Sequence, residues 1–214
     1  MEHEMKHVLS EQDNHGFEGL KHAVAEMMKR ISAALPELKE PIKMVIAGGV
    51  AVNFYTGSRI TMDVDASFSR RVILPEDLIV PYEGPDGKLL SVHLDRSYNP
   101  TFALMHEDYE DDALKVAGSE FDDQKIDLRV LSPVDLAVSK IARLEGPDRE
   151  DIAALAKLNL IYPKAVAERA KDALGCYVGN MDRLQANLRE ALKIVETVQR
   201  DTQKEARRGK GHER

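Results

Sequence analysis

The sequence predicts an α/β (α+β) fold, in which a mixed sheet with flanking helices is followed by a C-terminal bundle of helices. Two strand-like segments, residues 62–68 and 125–131, alternate apolar with polar side chains. From residue 132 onward, apolar residues recur at three- and four-residue steps, which is the helical period. This change of period divides the chain into a mixed part and a helical part.

The mixed part begins with helix and strand signals in alternation. Residues 17–35 predict an amphipathic helix that ends at Pro36. A buried strand at 44–47 and a short helix at 50–55 are expected next, and Gly57 is a favourable end for that helix. Further strands are expected at residues 62–68, 72–74, 89–94, 101–105 and 125–131.

The helical part has a clear start. Ser132 is a suitable N-cap, and Pro133 fits the first helical position. Helices are predicted from there to residue 146 and over residues 148–158, 163–174 and 181–203. We therefore expect a loose N-terminus (1–16), an α/β core (17–131), a helical region (132–204) and a basic tail (205–214).

The composition excludes several classes of protein. Apolar residues make up 43 % of the chain, which is too many for a disordered protein. Its single cysteine, Cys176, excludes an intramolecular disulfide framework and a cysteine-based zinc site. No apolar run approaches the ~20 residues that a membrane span needs, and the N-terminal residues contain no apolar signal segment. We therefore expect a cytoplasmic protein without a membrane partner.

The net charge of −7 comes from one stretch of the chain. Residues 106–123 contain eight acidic residues and one lysine, which is a net charge of −7 by itself. The remaining residues balance, so the overall charge does not exclude a nucleic-acid partner.

The strongest chemical signal is a Gly-Gly step followed by paired carboxylates. Gly48 and Gly49 follow the buried strand, and backbone N–H groups at the start of the next helix attract phosphate. Asp63 and Asp65 lie two residues apart on a strand and therefore share a face. A solvated strand face is the simplest explanation of such a pair in isolation. Beside a phosphate cradle, however, the pair suits Mg²⁺ and transfer of a phosphoryl or nucleotidyl group.

The ordered motifs resemble the polymerase-β-like nucleotidyltransferases, in particular minimal bacterial members related to the toxins of AbiE-type abortive-infection systems. The first motif is Gly48-Gly49 followed by Arg59-x-Thr61-x-Asp63-x-Asp65. The second is Ser132-Pro133-x-Asp135-Leu136 with Lys140, followed by Asp148-x-x-Asp151-Ile152. The resemblance covers roughly residues 42–158 and implies a nucleotidyltransferase-like core.

The resemblance implies roles for individual residues. Gly48, Gly49, Arg59, Thr61 and Lys140 would bind a nucleoside triphosphate. Asp63 and Asp65 would bind Mg²⁺ as catalytic ligands. Lys140 is equally consistent with a surface lysine on an amphipathic helix.

Two acidic positions complete the expected site. Asp151 is favoured over Asp148 as the acid that supports the site, because Asp148 is well placed to cap a helix. Asp127, on the polar side of the strand at 125–131, is our choice for a third catalytic, metal-binding carboxylate. A structural ion pair with Lys125 or Arg129 is nearly as good an explanation of Asp127. Gly49 departs from the Gly-Ser of the broader superfamily.

These residues predict an enzyme that moves a nucleoside monophosphate from a nucleoside triphosphate to an acceptor hydroxyl, with Mg²⁺ as cofactor. By resemblance the acceptor is a tRNA or a protein, and the chain is the toxin of a toxin–antitoxin pair with an antitoxin protein as partner. One alternative is transfer to a small molecule such as an aminoglycoside. Another is an inactive binding module that keeps the nucleotidyltransferase fold.

Overall fold

A computed structural model describes residues 14–57, 59–84, 86–116 and 124–209. Within these ranges the chain forms seven α-helices and seven β-strands. The helices are α1 (Asn14–Ala34), α2 (Gly48–Thr56), α3 (Tyr109–Asp112), α4 (Pro133–Ile141), α5 (Gly146–Lys157), α6 (Pro163–Ala173) and α7 (Met181–Gly209). The strands are β1 (Ile42–Ile46), β2 (Asp63–Val64), β3 (Ala66–Phe68), β4 (Ile79–Glu83), β5 (Leu89–Leu94), β6 (Leu114–Lys115) and β7 (Ile126–Val130).

The strands form two mixed sheets that share one segment of chain. The first sheet has the order β3-β1-β7-β6, with β1 and β7 parallel. The second has the order β2-β5-β4, with β2 and β5 parallel. Residues 63–68 belong to both, because β2 pairs with β5 and β3 pairs with β1. Asp65 is the single residue between β2 and β3 and therefore lies where the two sheets meet.

The helices cover the sheets and build the helical region. α1 packs against β4, and its buried apolar side chains recur at three- and four-residue steps, as Leu20, Val24, Met27 and Ile31 do. α4, α5, α6 and α7 pack against one another and form the predicted bundle. The fold class expected from the sequence, a mixed α/β core followed by helices, is therefore confirmed. None of the helices in the described ranges is both long and apolar enough to cross a membrane.

Several local signals act as the sequence predicts. α2 ends at Gly57, which adopts the left-handed conformation with φ of 66°. The Ser132 hydroxyl accepts a hydrogen bond from the Asp135 N–H and caps α4, whose first residue is Pro133. The strands predicted at 89–94 and 125–131 are β5 and β7.

Other expectations differ from the structure. Residues 72–74 and 101–105 are not strands; Asn99 instead caps a short 3-10 helix at Pro100–Phe102. β4 is not among the predicted strands. Pro81 lies in the middle of it, which is tolerated because β4 is an edge strand. The expected basic tail is partly helical, since α7 continues to Gly209, and residues 210–214 lie outside the described residues. Of the expected loose N-terminus, residues 1–13 lie outside the described residues and 14–16 begin α1.

Candidate active site

The predicted phosphate cradle lies against one of the predicted metal ligands. β1 ends at Ile46, and the Ala47 N–H donates to the Asp65 carbonyl at 2.8 Å. Gly48 follows with φ of 60°, a backbone conformation that favours glycine. A Cβ atom at Gly48 would overlap the Asp65 carboxylate. The carboxylate of Asp65 and the start of α2 can therefore approach closely only because residue 48 has no side chain.

Gly49 occupies an equally crowded position. A Cβ atom there would lie 2.8 Å from Thr61 Oγ1 and 3.0 Å from Thr61 Cβ. Glycine in place of the serine expected from the broader superfamily therefore leaves space for Thr61. The structure brings together four of the predicted site residues, namely Gly48, Gly49, Thr61 and Asp65.

Asp95 is a third carboxylate at the same place, and sequence reasoning missed it. β2 and β5 are parallel, Asp63 is paired with His93, and the Asp95 N–H donates to the Val64 carbonyl at 3.0 Å. Asp95 thus lies beside Asp65, directly after the end of the neighbouring strand β5. A signal was available, because Asp95 is the first residue after the predicted strand at 89–94. To recognise Asp95 as a site residue from this signal, one must also know that β5 pairs with β2, and the sequence does not specify that pairing.

The three carboxyl groups have different electrostatic environments. Burial, together with Asp95 and Asp63, raises the pKa of Asp65 to about 6. The Ser97 hydroxyl and N–H donate to Asp95 Oδ1 at 2.6 and 2.8 Å, and these bonds lower the pKa of Asp95. Asp63 is exposed, and its Oδ1 lies 2.8 Å from His93 Nε2. Asp65 is therefore the carboxyl group that gains most from a nearby cation.

Asp127 does not join this cluster. It is paired with Lys43 on β1, whereas Asp65 stands opposite Ala47. Lys43 and Ala47 are four residues apart, so Asp127 and Asp65 are separated by about 13 Å along the strand direction. Asp127 instead contacts Arg129 at 2.9 Å and Lys115 at 3.8 Å. The choice of Asp127 as third carboxylate thus disagrees with its position in the sheet, and the structural ion pair describes it better.

Lys140 and Asp151 lie together in a buried ionic cluster. Lys140 on α4 is only 7 % exposed, and its Nζ lies 2.7 Å from Asp151 Oδ2 on α5. Asp151 Oδ1 lies 3.1 Å from Arg59 Nε, without the alignment of a hydrogen bond. Asp151 therefore joins Lys140 to the segment that leads into β2. The charge of Lys140 lowers the pKa of Asp65, against the larger effect of burial.

Asp148 caps α5, as its sequence position suggests, and it also binds Arg143. Its Oδ2 accepts the Glu145 N–H at 3.0 Å in the capping box of α5. It also accepts two hydrogen bonds of 2.8 Å from Arg143. Burial alone would raise the pKa of Asp148, but these bonds lower it. Arg143 was not predicted as a site residue; it lies two residues beyond the end of α4, in the turn that leads to α5.

The carboxylate cluster fits a metal ion that the substrate helps to hold. No three His, Cys, Asp or Glu side chains among the described residues form a ready metal cage. Mg²⁺, however, is commonly held by one or two carboxylates together with water and substrate phosphates. Burial is the main cause of the raised pKa of Asp65, and repulsion from Asp95 and Asp63 adds to it; a cation bound there would relieve this repulsion.

Comparison with known protein families identifies a family that covers most of the chain. A family model described as "Nucleotidyltransferase of unknown function" (DUF6036) matches residues 22–200, which include every residue of the two clusters above. No curated protein and no solved structure matches the chain significantly. The chain belongs to this family of nucleotidyltransferases of unknown function.

Proposed function

We propose that this chain transfers a nucleoside monophosphate from a nucleoside triphosphate to an acceptor hydroxyl, with Mg²⁺ as cofactor. The observation that carries the proposal is the convergence of Gly48, Asp63, Asp65 and Asp95 where the two sheets meet. Family membership supports the reaction class, and the contact between Gly48 and the Asp65 carboxylate supports a phosphate beside a metal site.

The proposed reaction is a displacement at the α-phosphorus. The acceptor oxygen forms a bond to that phosphorus, the bond to the bridging oxygen breaks, and pyrophosphate leaves. Asp63 and Asp65, with Asp95, would hold Mg²⁺, which would neutralise charge on the α-phosphate. The start of α2 at Gly48 and Gly49 would bind the phosphates through backbone N–H groups. Asp95 is our choice to accept the hydroxyl proton, because its lowered pKa keeps it ionised at neutral pH.

The remaining predicted residues would orient the substrate. Lys140 is held by Asp151, so its charge lies at a fixed position beside Asp65. Thr61 and Arg59 lie in the segment between α2 and β2, where they border the phosphate cradle and the ionic cluster. By resemblance to the AbiE-type toxins, the acceptor is a tRNA or a protein and the chain is a toxin with an antitoxin partner.

The proposal is tested by following the α-phosphate. The purified chain is incubated with each α-³²P-labelled nucleoside triphosphate, Mg²⁺ and either total tRNA or a protein extract, and labelled products are separated. We expect label in a macromolecule with one or more nucleotides, pyrophosphate release, and no transfer from γ-labelled substrate. Asp63→Asn should remove the labelling. Absence of labelled product with all four nucleotides, or equal labelling by Asp63→Asn, contradicts the proposal.

A further inference from the structure

Two positive side chains near the carboxylate cluster differ in their access to a ligand. Lys140 is 7 % exposed and has acidic neighbours on two sides, Asp151 at 2.7 Å and Asp148 at 3.7 Å. The Arg143 side chain, in the turn that follows α4, is 62 % exposed. Of these two cations, Arg143 is therefore the one that an incoming phosphate can reach without displacing a buried ion pair.

Arg143 is fixed in place by one carboxylate. Its Nε and Nη2 each donate to Asp148 at 2.8 Å, in a two-point contact that sets the plane of the guanidinium group. Nη1 is not part of that contact, so its N–H groups remain on the side away from Asp148. Because Asp148 is itself fixed by the Glu145 N–H, Arg143 does not have to be ordered when a ligand binds.

The backbone that carries Arg143 is also held tightly. Leu144 is buried and adopts a left-handed conformation with φ of 50°, which is uncommon for a large side chain. Asn187 on α7 donates to the Ile141 carbonyl at 2.8 Å, and Arg183 donates to the Arg143 carbonyl at 3.4 Å. α7 thus satisfies carbonyl groups at the end of α4 that the helix itself leaves unpaired.

Ion pairs tie Arg143 to the other cations of the ionic cluster. Asp148 contacts both Arg143 and Lys140, and Asp151 contacts both Lys140 and Arg59. Glu145 Oε2 lies 3.9 Å from Arg143 Nε, so three cations face three carboxylates and Arg143 is the most exposed of the three cations. Arg59, at the other end of these ion pairs, lies two residues before Thr61, whose side chain packs against Gly49 at the start of α2. The ion pairs therefore connect Arg143 to the segment that borders the proposed phosphate cradle.

We propose that Arg143 binds the polyphosphate of the nucleotide, with Asp148 as the residue that positions it. This inference rests on the proposed function. It assigns the leaving pyrophosphate to an exposed arginine on the turn between α4 and α5, whereas Lys140 is paired with Asp151, which also contacts Arg59. Arg143 would donate Nη1–H groups to phosphate oxygens, which suits its planar, permanently charged group.

The test measures binding of nucleotides with different numbers of phosphates. Each ribonucleoside triphosphate, its monophosphate and inorganic tripolyphosphate are titrated with Mg²⁺ into the full chain by calorimetry. The variants are Arg143→Gln and Arg143→Lys. Arg149→Gln is the matched control, since Arg149 on the surface of α5 makes an equivalent two-point contact with Glu190 on α7.

We expect Arg143→Gln to weaken triphosphate and tripolyphosphate binding by about 10- to 100-fold, the usual effect of losing hydrogen bonds to a charged group. Monophosphate binding should change by less than about threefold, and Arg143→Lys should lie between. Arg149→Gln should bind like the wild type. Loss of fold would weaken monophosphate and triphosphate binding alike, so the ratio of the two affinities separates the explanations.

Three results would overturn the inference, and each has a different meaning. If the wild type binds triphosphate and Arg143→Gln binds it equally well, Arg143 has no role in phosphate binding and the proposed function stands. If Arg143→Lys and Arg143→Gln lower all affinities by one factor, the role of Arg143 is structural. If the wild type binds no triphosphate, the proposed function fails and this inference fails with it.

Discussion

Asp65 is stabilised by protonation in the free protein, yet the proposed chemistry needs it ionised. Burial, Asp95 and Asp63 raise its pKa from the ordinary 3.8 to about 6. The folded state therefore binds a proton more tightly than the unfolded state. This contribution to stability is fully present below about pH 4 and is lost as the pH rises through about 6.

Asp65→Asn should therefore stabilise the free protein in a pH-dependent way. Above pH 6 we expect a gain of about 1–2 kcal/mol in the free energy of unfolding, after allowance for partial solvent access. Below pH 4 the gain should disappear, because Asp65 is then neutral in both states. Urea unfolding at pH 4, 5, 7 and 8 checks this, and an equal gain at all four pH values would contradict it.

Gly48 and Gly57 offer a matched pair for testing the contact with Asp65. Both have positive φ, but a Cβ atom at Gly48 would overlap Asp65 whereas one at Gly57 would meet nothing within 4 Å. Alanine at either position should cost about 1–2 kcal/mol of stability through backbone strain. In labelling assays at equal concentrations of folded protein, only Gly48→Ala should lose activity. Full activity of Gly48→Ala would show that the approach of Asp65 to α2 is not needed.

At the scale of secondary-structure elements, the sequence predicts those whose signals are local. The Ser132-Pro133 start of α4 and the Gly57 end of α2 depend on adjacent residues, and both are confirmed. The segment 62–68 is recognised as strand, but its division between two sheets at Asp65 depends on partners far away in the chain. Strand order decides which acidic side chains lie close together, and the sequence does not reveal that order. The sequence therefore points to Asp127 and not to Asp95.

The packing of α1 on β4 gives a prediction about stability. A Cβ atom at Gly19 would lie 2.5 Å from the Glu83 carbonyl oxygen, and a backbone atom can yield only if α1 moves away from the sheet. Gly19→Ala should therefore destabilise the chain by about 1–3 kcal/mol. Gly175→Ala, where the added atom meets nothing within 4 Å, should change stability by less than about 0.5 kcal/mol. Equal urea midpoints for the two variants would contradict this packing.

At the scale of the whole molecule, the net charge of −7 is a poor guide to partners. Within the acidic stretch, Asp111 lies 2.7 Å from Lys43 and Asp112 lies 2.6 Å from Arg169. Lys43 is at the level of Asp127, about 13 Å along the sheet from Asp65. These two acids are therefore neutralised locally and lie away from the carboxylate cluster. Residues 117–123 of the stretch lie outside the described residues.

The fold brings residues of the candidate site from three parts of the molecule to the place where the two sheets meet. Gly48 and Asp65 come from the first sheet and its connection, Asp63 and Asp95 from the second, and Lys140 and Arg143 from the helical region. The helical region is thus more than a packing layer. α4 and the turn after it carry Lys140 and Arg143, α5 carries the carboxylates that pair with them, and α7 fixes the end of α4.

The most direct test of this account compares the rate of α-³²P transfer by Asp95→Asn with that by Asp127→Asn. Both variants replace a strand aspartate with its neutral amide, and each is assayed at a matched concentration of folded protein with Mg²⁺ and the acceptor that the wild type labels. We predict that Asp95→Asn loses at least about 100-fold in rate, as expected when a group that stabilises the transition state is removed, while Asp127→Asn stays within about threefold of the wild type. Full activity of Asp95→Asn together with loss in Asp127→Asn would contradict a site at the junction of the two sheets.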